Sequence, residues 1–456
     1  MQLLGLALLL LNAALVMKVA SKLTPQRPVP YLALVCVLGQ YPLAYWSLLG
    51  METSFVACCL TGLSLCAIRQ LMVQSPEEKD YTAAQSLRAA TAQALLSAAL
   101  YLSRPDAAVY AILIIGVQLF LAPRKRPALC GLGGLLLTVT AHFLIRYGYY
   151  GNWLPNTAVL KLSRVPLLER WRNGLGFLGG FFGWAWPLAL LAALGVVRSY
   201  WIARHMLPPI TLGRDHSKAL LLALFVTACG YQIHVGGDPW PYWRILAPTL
   251  PLIAMLAAVE VTRFSSGPGP ASRKRAWAIS GFMLLVLAAQ NRPFAAEILG
   301  ARPPSSVPQN KRNVAIADAL NQVLSADASL GVFWAGAIPY YTSRYTHDFL
   351  GKAEPVLARR APDLSGAVSW SGMNSVPGHN KYDLEFSIQQ QQPTFVQGAR
   401  WGAQDITAWV ADHYARVSLY GTEFWLKYPS NNVHWEQLYA LGAEVAPPRM
   451  NGRASR

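Results

Sequence analysis

Charge is scarce in this 456-residue chain, and acid is scarcer still: Asp, Glu, Lys and Arg make up 13% of it, with 22 acidic residues against 39 basic ones. So little charge beside 54% hydrophobic residues excludes an ordinary soluble enzyme and reads as a polytopic membrane protein. Cysteine is nearly absent too. The six cysteines, at 36, 58, 59, 66, 130 and 229, all fall in apolar runs, so neither a disulfide framework nor a cysteine metal centre is supported. The chain has no Walker loop, no glycine-rich dinucleotide fingerprint after a strand and no nucleophile elbow, which argues against energy coupling by nucleotide hydrolysis. No basic stretch precedes the opening apolar run, so that run reads as a span rather than a signal peptide.

What the chain does have is a series of apolar runs near 2–17, 30–49, 51–68, 89–103, 107–122, 128–145, 175–197, 218–235, 245–262 and 276–290. Taken at the roughly 20 residues that cross a bilayer, they predict about ten transmembrane helices over residues 1–290. A polar tail, 291–456, follows as a separate α/β domain. The net charge of +17 is spread in a telling way. Lys18, Lys22 and Arg27; Arg69 and Lys79; Arg124, Lys125 and Arg126; Arg198 and Arg204; and Arg263, Arg273, Lys274 and Arg275 occupy alternate loops. That is the positive-inside pattern; it assigns these loops to the cytoplasm and accounts for the charge without nucleic acid. The links at 49–53, 104–106, 146–172 and 236–244 then fall on the outer side, as do Met1 and the tail.

Those outer links hold the polar and aromatic residues. Arg146-Tyr-Gly-Tyr-Tyr-Gly-Asn-Trp-Leu-Pro-Asn-Thr-Ala-Val-Leu-Lys161 lies between two apolar runs, where irregular backbone must line a cavity or reach the surface. Its tyrosines and Trp153 suit an interfacial aromatic belt. Arg146, Asn156 and Lys161 add cations and an amide suited to a lipid-linked phosphate, or to ordinary anionic lipid. Gly236-Gly-Asp-Pro-Trp-Pro-Tyr-Trp-Arg244 sets Asp238 and Arg244 beside the sugar-stacking faces of Trp240 and Trp243. An aromatic belt with an interfacial ion pair is the alternative there. Gly50-Met-Glu-Thr53 reads equally as a tight turn with Glu52 solvated or as a functional acid, and Arg104-Pro-Asp106 as a helix break whose charges pair or as part of a cavity.

The tail predicts a helix over 313–324 and a short strand over 331–334, with turns after them. Its polar concentrations are Thr346-His-Asp-Phe-Leu-Gly351 and Pro377-Gly-His-Asn-Lys-Tyr-Asp383. They read as surface loops or as contacts for a sugar or acceptor. His379 and Asp383 are too few ligands for a metal site, and no cofactor is predicted.

In order and spacing, Gly50-Met-Glu-Thr53, Arg104-Pro-Asp106, Tyr147-Gly-Tyr-Tyr-Gly-Asn-Trp-Leu-Pro-Asn156 with Lys161, Gly236-Gly-Asp238 with Arg244, Asp348-Phe-Leu-Gly351 and Gly378-His-Asn-Lys-Tyr-Asp383 resemble bacterial membrane glycosyltransferases of the GT-C superfamily. The terminal arabinofuranosyltransferase-like proteins are the nearest of these. The resemblance implies transfer of a sugar from a polyprenyl-phosphate donor, on the outer face of the inner membrane, to an envelope glycan, lipid or protein. It assigns the donor phosphate to Arg146, Lys161 and Arg244, the sugar to Asn156, Trp240 and Glu52, and the acceptor side to Asp348, His379, Lys381 and Asp383. Family members usually carry an aspartate-rich first outer loop thought to supply the base. This chain opens inside what resembles their second span, which leaves Asp238 and Asp106 as the expected substitutes. Two further functions fit the same residues: a flippase for a lipid-linked saccharide, against which the lack of an internal repeat counts, and an inactive scaffold.

Overall fold

The computed structural model describes residues 1–73, 82–206, 212–263, 270–369, 373 and 375–449; Lys79 of the basic loops lies outside them. All ten apolar runs fold as helix. Five of those helices, Gln2–Leu23, Thr53–Leu71, Arg126–Tyr150, Leu167–Arg198 and Gly213–Val235, are long and apolar enough to cross a membrane, and the bent pair Val29–Leu38 and Tyr41–Leu48 would make a sixth. This set fits a membrane protein. Four expected spans are weaker. Pro105–Leu121 and Ala247–Thr262 are short, while Ala83–Ser103 and Pro270–Asn291 are diluted by Gln, Ser, Thr and basic residues.

By its internal contacts the chain divides into two units. The first comprises Met1–Trp153, Leu178–Gln232 and Trp240–Ile298 and holds the apolar helices. Small residues let some of them approach closely. A Cβ on Gly134 would stand 2.9 Å from the Ala94 carbonyl, so helix Arg126–Tyr150 packs tightly on helix Ala83–Ser103. A buried amide pair, Gln93 Nε2 to Gln118 Oε1 at 2.6 Å, links helix Ala83–Ser103 to helix Ala108–Leu121 in apolar surroundings. Only 17% of the most apolar stretch of Arg126–Tyr150 is buried in the protein, which leaves Leu136, Leu137, Leu144 and Ile145 facing outward, as a lipid-contacting helix requires.

The second unit joins Leu299–Arg456 to two segments that interrupt the helical region, Leu154–Phe177 and Ile233–Pro239. Sequence periodicity put the boundary at 290/291 and did not foresee these two additions. Eight strands occur among the described residues: β1 (Leu330–Val332), β2 (Thr346–Asp348), β3 (Phe395–Val396), β4 (Arg400–Trp401), β5 (Gln404–Asp405), β6 (Tyr414–Leu419), β7 (Thr422–Lys427) and β8 (Glu444–Ala446). Six form a mixed sheet in the order β2-β1-β3-β7-β6-β8, with β1 parallel to β2 and β3 and the remaining pairs antiparallel; β4 and β5 pair alone.

Side chains alternate across this sheet and build two cores. Phe395, Val417, Leu419, Phe424 and Leu426 join Ile316, Leu320 and Val323 of helix Val307–Val323 in one. Val396 and Tyr414 join Phe333, Phe349, Val376 and Leu384 in the other. The expected helix and strand are present as Val307–Val323 and β1, the helix starting earlier than its apolar periodicity suggests because Ser306 and Pro308 open it with a polar turn.

The turn after β2 fixes a loop needed below. Asp348 accepts the Leu350 amide on Oδ1 at 3.0 Å and the Ala353 amide on Oδ2 at 2.7 Å, and Gly351 between them has φ +73°. A Cβ there would lie 2.8 Å from the Ala358 nitrogen, so both the left-handed backbone and the close approach call for glycine. Gly351→Ala is expected to destabilise the second unit by about 1–3 kcal/mol. Denaturation of the purified variant followed by tryptophan fluorescence checks this; an unchanged midpoint would refute the account.

Candidate functional site

Lys161 sits in the last turn of helix Asn156–Leu162, which the extended Pro155 leads into with Asn156 as first residue. A helix this short leaves most of its carbonyls unpaired, and Lys381 answers that need. Its Nζ donates to Val159 O at 3.0 Å, Ser163 O at 2.7 Å and Ala358 O at 3.0 Å, from a position with no solvent exposure. Burial, reinforced by nearby Arg164, pushes this ammonium down to about 8. Its protons are used within the chain, so the geometry gives Lys381 a positioning role in place of the acceptor contact expected for it.

Asp238 is buried, and its Oδ1 lies 3.4 Å from Lys161 Nζ. The two glycines before it have φ of +87° and +82°, and a Cβ on Gly237 would meet Phe177 Cβ and Cγ at 2.8 and 2.9 Å. Glycine is therefore required for the chain to turn and deliver Asp238 here.

His379 lies close to this pair and is buried at 4% exposure. Its Nδ1 is 3.2 Å from Pro377 O and its Nε2 is 3.3 Å from Lys352 Nζ. An ammonium only donates, so Nε2 must accept and Nδ1 must carry the proton toward Pro377. Burial pushes His379 down to about 3, with the charges of Lys352 and Lys161 working in the same direction and Asp238 against. Trp401 Nε1 donates to His379 O at 2.9 Å, and the Trp334 ring lies 5.6 Å from Trp401 and 5.7 Å from the imidazole. Of the other expected acceptor-side residues, Asp348 holds the turn described above. Asp383 accepts the Phe386 amide at 2.9 Å and pairs with Arg360 at 2.8 Å.

The first unit holds the remaining candidates. Arg244 presents its guanidinium carbon 5.8 Å from the Trp46 ring centre and 5.6 Å from that of Trp240. Tyr242 and Trp243 just before it have φ of +56° and +47°, a left-handed pair that costs about 1–3 kcal/mol per residue. Tyr242 Oη donates to Glu297 at 2.9 Å, Tyr41 Oη donates to the same carboxylate at 2.5 Å, and Trp243 stacks on Trp184 at 5.2 Å. Beside Trp243 opens a cavity of about 770 Å³ lined mainly by Trp184, Trp186, Leu190, Trp243, Phe282 and Phe294.

Arg104 grips Asp106 through Nε at 3.0 Å and Nη2 at 2.7 Å, and reaches Glu52 through Nη1 at 3.2 Å. The expected pairing of Arg104 with Asp106 is thus present, with Glu52 added to it. Arg146 lies over the Tyr150 ring at 5.0 Å, and Tyr147 stacks on Trp153 at 4.3 Å.

The structure brings Lys161, Asp238 and His379 together. It adds Lys352, Trp334 and Trp401, which sequence reasoning passed over, and Glu297 with its two tyrosines in the first unit. Lys352 was within reach, since it directly follows the Asp348–Gly351 motif. No local pattern marks Glu297.

Residues 305–440 match a family described as a domain of unknown function (DUF8728). Over 169 residues the chain is 34% identical to a terminal beta-(1->2)-arabinofuranosyltransferase of Corynebacterium glutamicum, an alignment that takes in 35% of this chain and 24% of that protein. No solved structure matches the chain. The likeness to the arabinofuranosyltransferase is one of family level.

The neutral imidazole sets a pH dependence. His379 is held down to about 3 in the fold against an ordinary 6.5, so the unfolded chain binds the extra proton as pH drops below 6.5. Its contribution to stability is present above 6.5 and is lost as pH falls toward 3. His379→Gln, which keeps an acceptor without the titration, is expected to flatten that part of the curve of melting temperature against pH; an unaltered slope would contradict the assignment.

Proposed function

We propose that this chain is an integral-membrane glycosyltransferase that moves a sugar from a polyprenyl-phosphate donor to a cell-envelope glycan, lipid or protein. The observation that carries the reading is the pair made by half-buried Lys161 and buried Asp238, a cation and an acid 3.4 Å apart on segments that border apolar helices. Inverting transfer needs these two charges. An acceptor hydroxyl attacks the anomeric carbon and the bond from that carbon to the phosphate oxygen breaks. The hydroxyl proton passes to Asp238 as general base, and Lys161 balances the charge left on the departing phosphate. Asp106 fits the role of base less well, because both its oxygens are engaged by Arg104.

Within the first unit, taken by itself, Arg146 and Arg244 remain candidate cations for a phosphate, Trp240 a candidate face for a sugar, and the 770 Å³ apolar cavity a place for an isoprenoid tail. Asn156 and Glu52 remain candidates for the sugar hydroxyls. Arabinofuranose is the sugar favoured, on the name of the Corynebacterium relative. The setting we infer is the bacterial inner membrane, crossed about ten times by spans of roughly 20 residues each, with residues 291–456 outside the cytoplasm.

Purified protein in nanodiscs, given a radiolabelled polyprenyl-phosphate arabinose and an arabinan oligosaccharide, is expected to form a glycosidic product. Asp238→Asn should lower kcat by about 100-fold or more, and Lys161→Ala by about 10-fold or more. Lipid translocation without product would favour the flippase; full activity in Asp238→Asn would remove the proposed base.

A further inference from the structure

Lys352 has an unusual electrostatic position. It is half-buried, and among the described residues its partners are the Nε2 of His379 at 3.3 Å and the Trp334 ring at 5.9 Å. No carboxylate pairs with it among those residues. Asp348, the acid whose charge acts on it, has one oxygen on the Leu350 amide and the other on the Ala353 amide. Burial disfavours the ammonium, the charge of Asp348 offsets part of that, and the charge of Lys161 disfavours it again. Lys161 has Asp238 as an ion-pair partner at 3.4 Å, whereas Lys352 makes no ion pair among the described residues. A half-buried cation with no ion-pair partner is costly, and an anion between the two lysines would reduce that cost.

The surroundings do not let Lys352 relax away. Its backbone is set by the Asp348 turn, which requires glycine at 351. The His379 ring cannot rotate without losing its Pro377 contact, and its backbone carbonyl is tied to Trp401. A neutral imidazole offers one lone pair to the ammonium and leaves its other two N–H bonds to point elsewhere.

We propose that Lys352 and Lys161 form a phosphate-holding pair in the second unit, with His379 as the residue that aims Lys352. Lysines bind phosphate as movable point charges, and the Trp334 ring beside Lys352 offers a face for the sugar carried on that phosphate. The physiological ligand, the phosphate of a lipid-linked sugar, rests on the glycosyltransferase reading; the phosphate chemistry does not. Lys352 would touch the ligand, whereas His379 acts through Lys352 as a positioning residue.

The test is binding of fluorescent farnesyl phosphate to the full chain in nanodiscs, with farnesol and inorganic phosphate as competitors. Loss of one charge-assisted contact is expected to weaken binding by about 10-fold or more in Lys352→Met. Lys352→Arg should stay within about threefold of the parent, because the charge remains. His379→Leu should weaken binding as Lys352→Met does, and the double variant should lose no more than either alone. Lys427→Ala, at a half-buried position on β7 where the ammonium bonds Gln392, should leave affinity unchanged, and melting temperatures of all variants confirm folding.

Competition by inorganic phosphate would support a free-phosphate source, failure of both inorganic phosphate and farnesol to compete would support a lipid-phosphate source, and full displacement by farnesol would overturn phosphate recognition. Equal affinity of folded Lys352→Met and parent overturns the proposal. Binding that depends on Lys352 in a protein that forms no product would leave this site standing and remove the transferase reading. Product formed at the parent rate by Lys352→Met would do the reverse.

Discussion

One buried ammonium organises the second unit. Lys381 sends its protons to the carbonyls of Val159, Ser163 and Ala358, and so ties a seven-residue helix in the middle of the chain to the sheet-bearing C-terminal part. A helix of that length has no stability of its own. Without the lysine this short helix would lose its tie to the Ala358 carbonyl and a donor to the carbonyl of Ser163 at its end, which weakens the placement of Lys161 in its last turn. The side chains at Asn173 and Ser375 work in the same sense, donating Nδ2 to Oγ at 2.6 Å. Polar anchors of this kind explain why Leu154–Phe177 belongs with the sheet although it is flanked by apolar helices.

A second constraint is the backbone approach at Gly236 and Gly237. Both take left-handed conformations, and Gly237 leaves no room for a Cβ against Phe177. The same turn carries Asp238 inward to Lys161. Placement of the acid therefore depends on glycine, and placement of the cation on a distant lysine. The two charges meet through independent devices, so disturbing either one separates them. That separability is what lets effects on the base be told from effects on the cation.

Much of this was legible in the sequence, and the reason it was varies by element. The apolar runs were read as helices because lipid-facing segments keep their composition whatever their neighbours do; Arg126–Tyr150 is the clearest case. The glycine pair before Asp238 and the Arg146–Lys161 patch stood out because polar residues between apolar runs are conspicuous. What could not be read was pairing across long separations. Lys161 and Asp238 are far apart in the chain, and Lys381 is farther still from the carbonyls of Val159 and Ser163. Lys381 therefore reads as a ligand contact until its protons are traced. The short spans mislead for a different reason: Ala83–Ser103 is helical throughout, but packing on Arg126–Tyr150 through Gly134 and Ala94 allows it polar residues that a lipid-exposed helix would not carry.

The scarcity of acid gives the site its logic. With 22 carboxylates against 39 basic side chains, few acids are spare, and those near the candidate residues have structural work to do. Asp106 is clasped by Arg104, Glu297 takes the protons of Tyr41 and Tyr242, Asp348 closes a turn, and Asp383 holds an arginine and a backbone amide. Lys352 faces an imidazole where a carboxylate would have neutralised it. A neutral acceptor can hold an ammonium in place while leaving its charge available, whereas a carboxylate would hold it and cancel it together. On the phosphate-binding reading proposed above, in which the anion is attracted and then released, an imidazole is the better anchor. The charge is then compensated only while the ligand is bound, so the cost of carrying it falls on the empty state and favours binding.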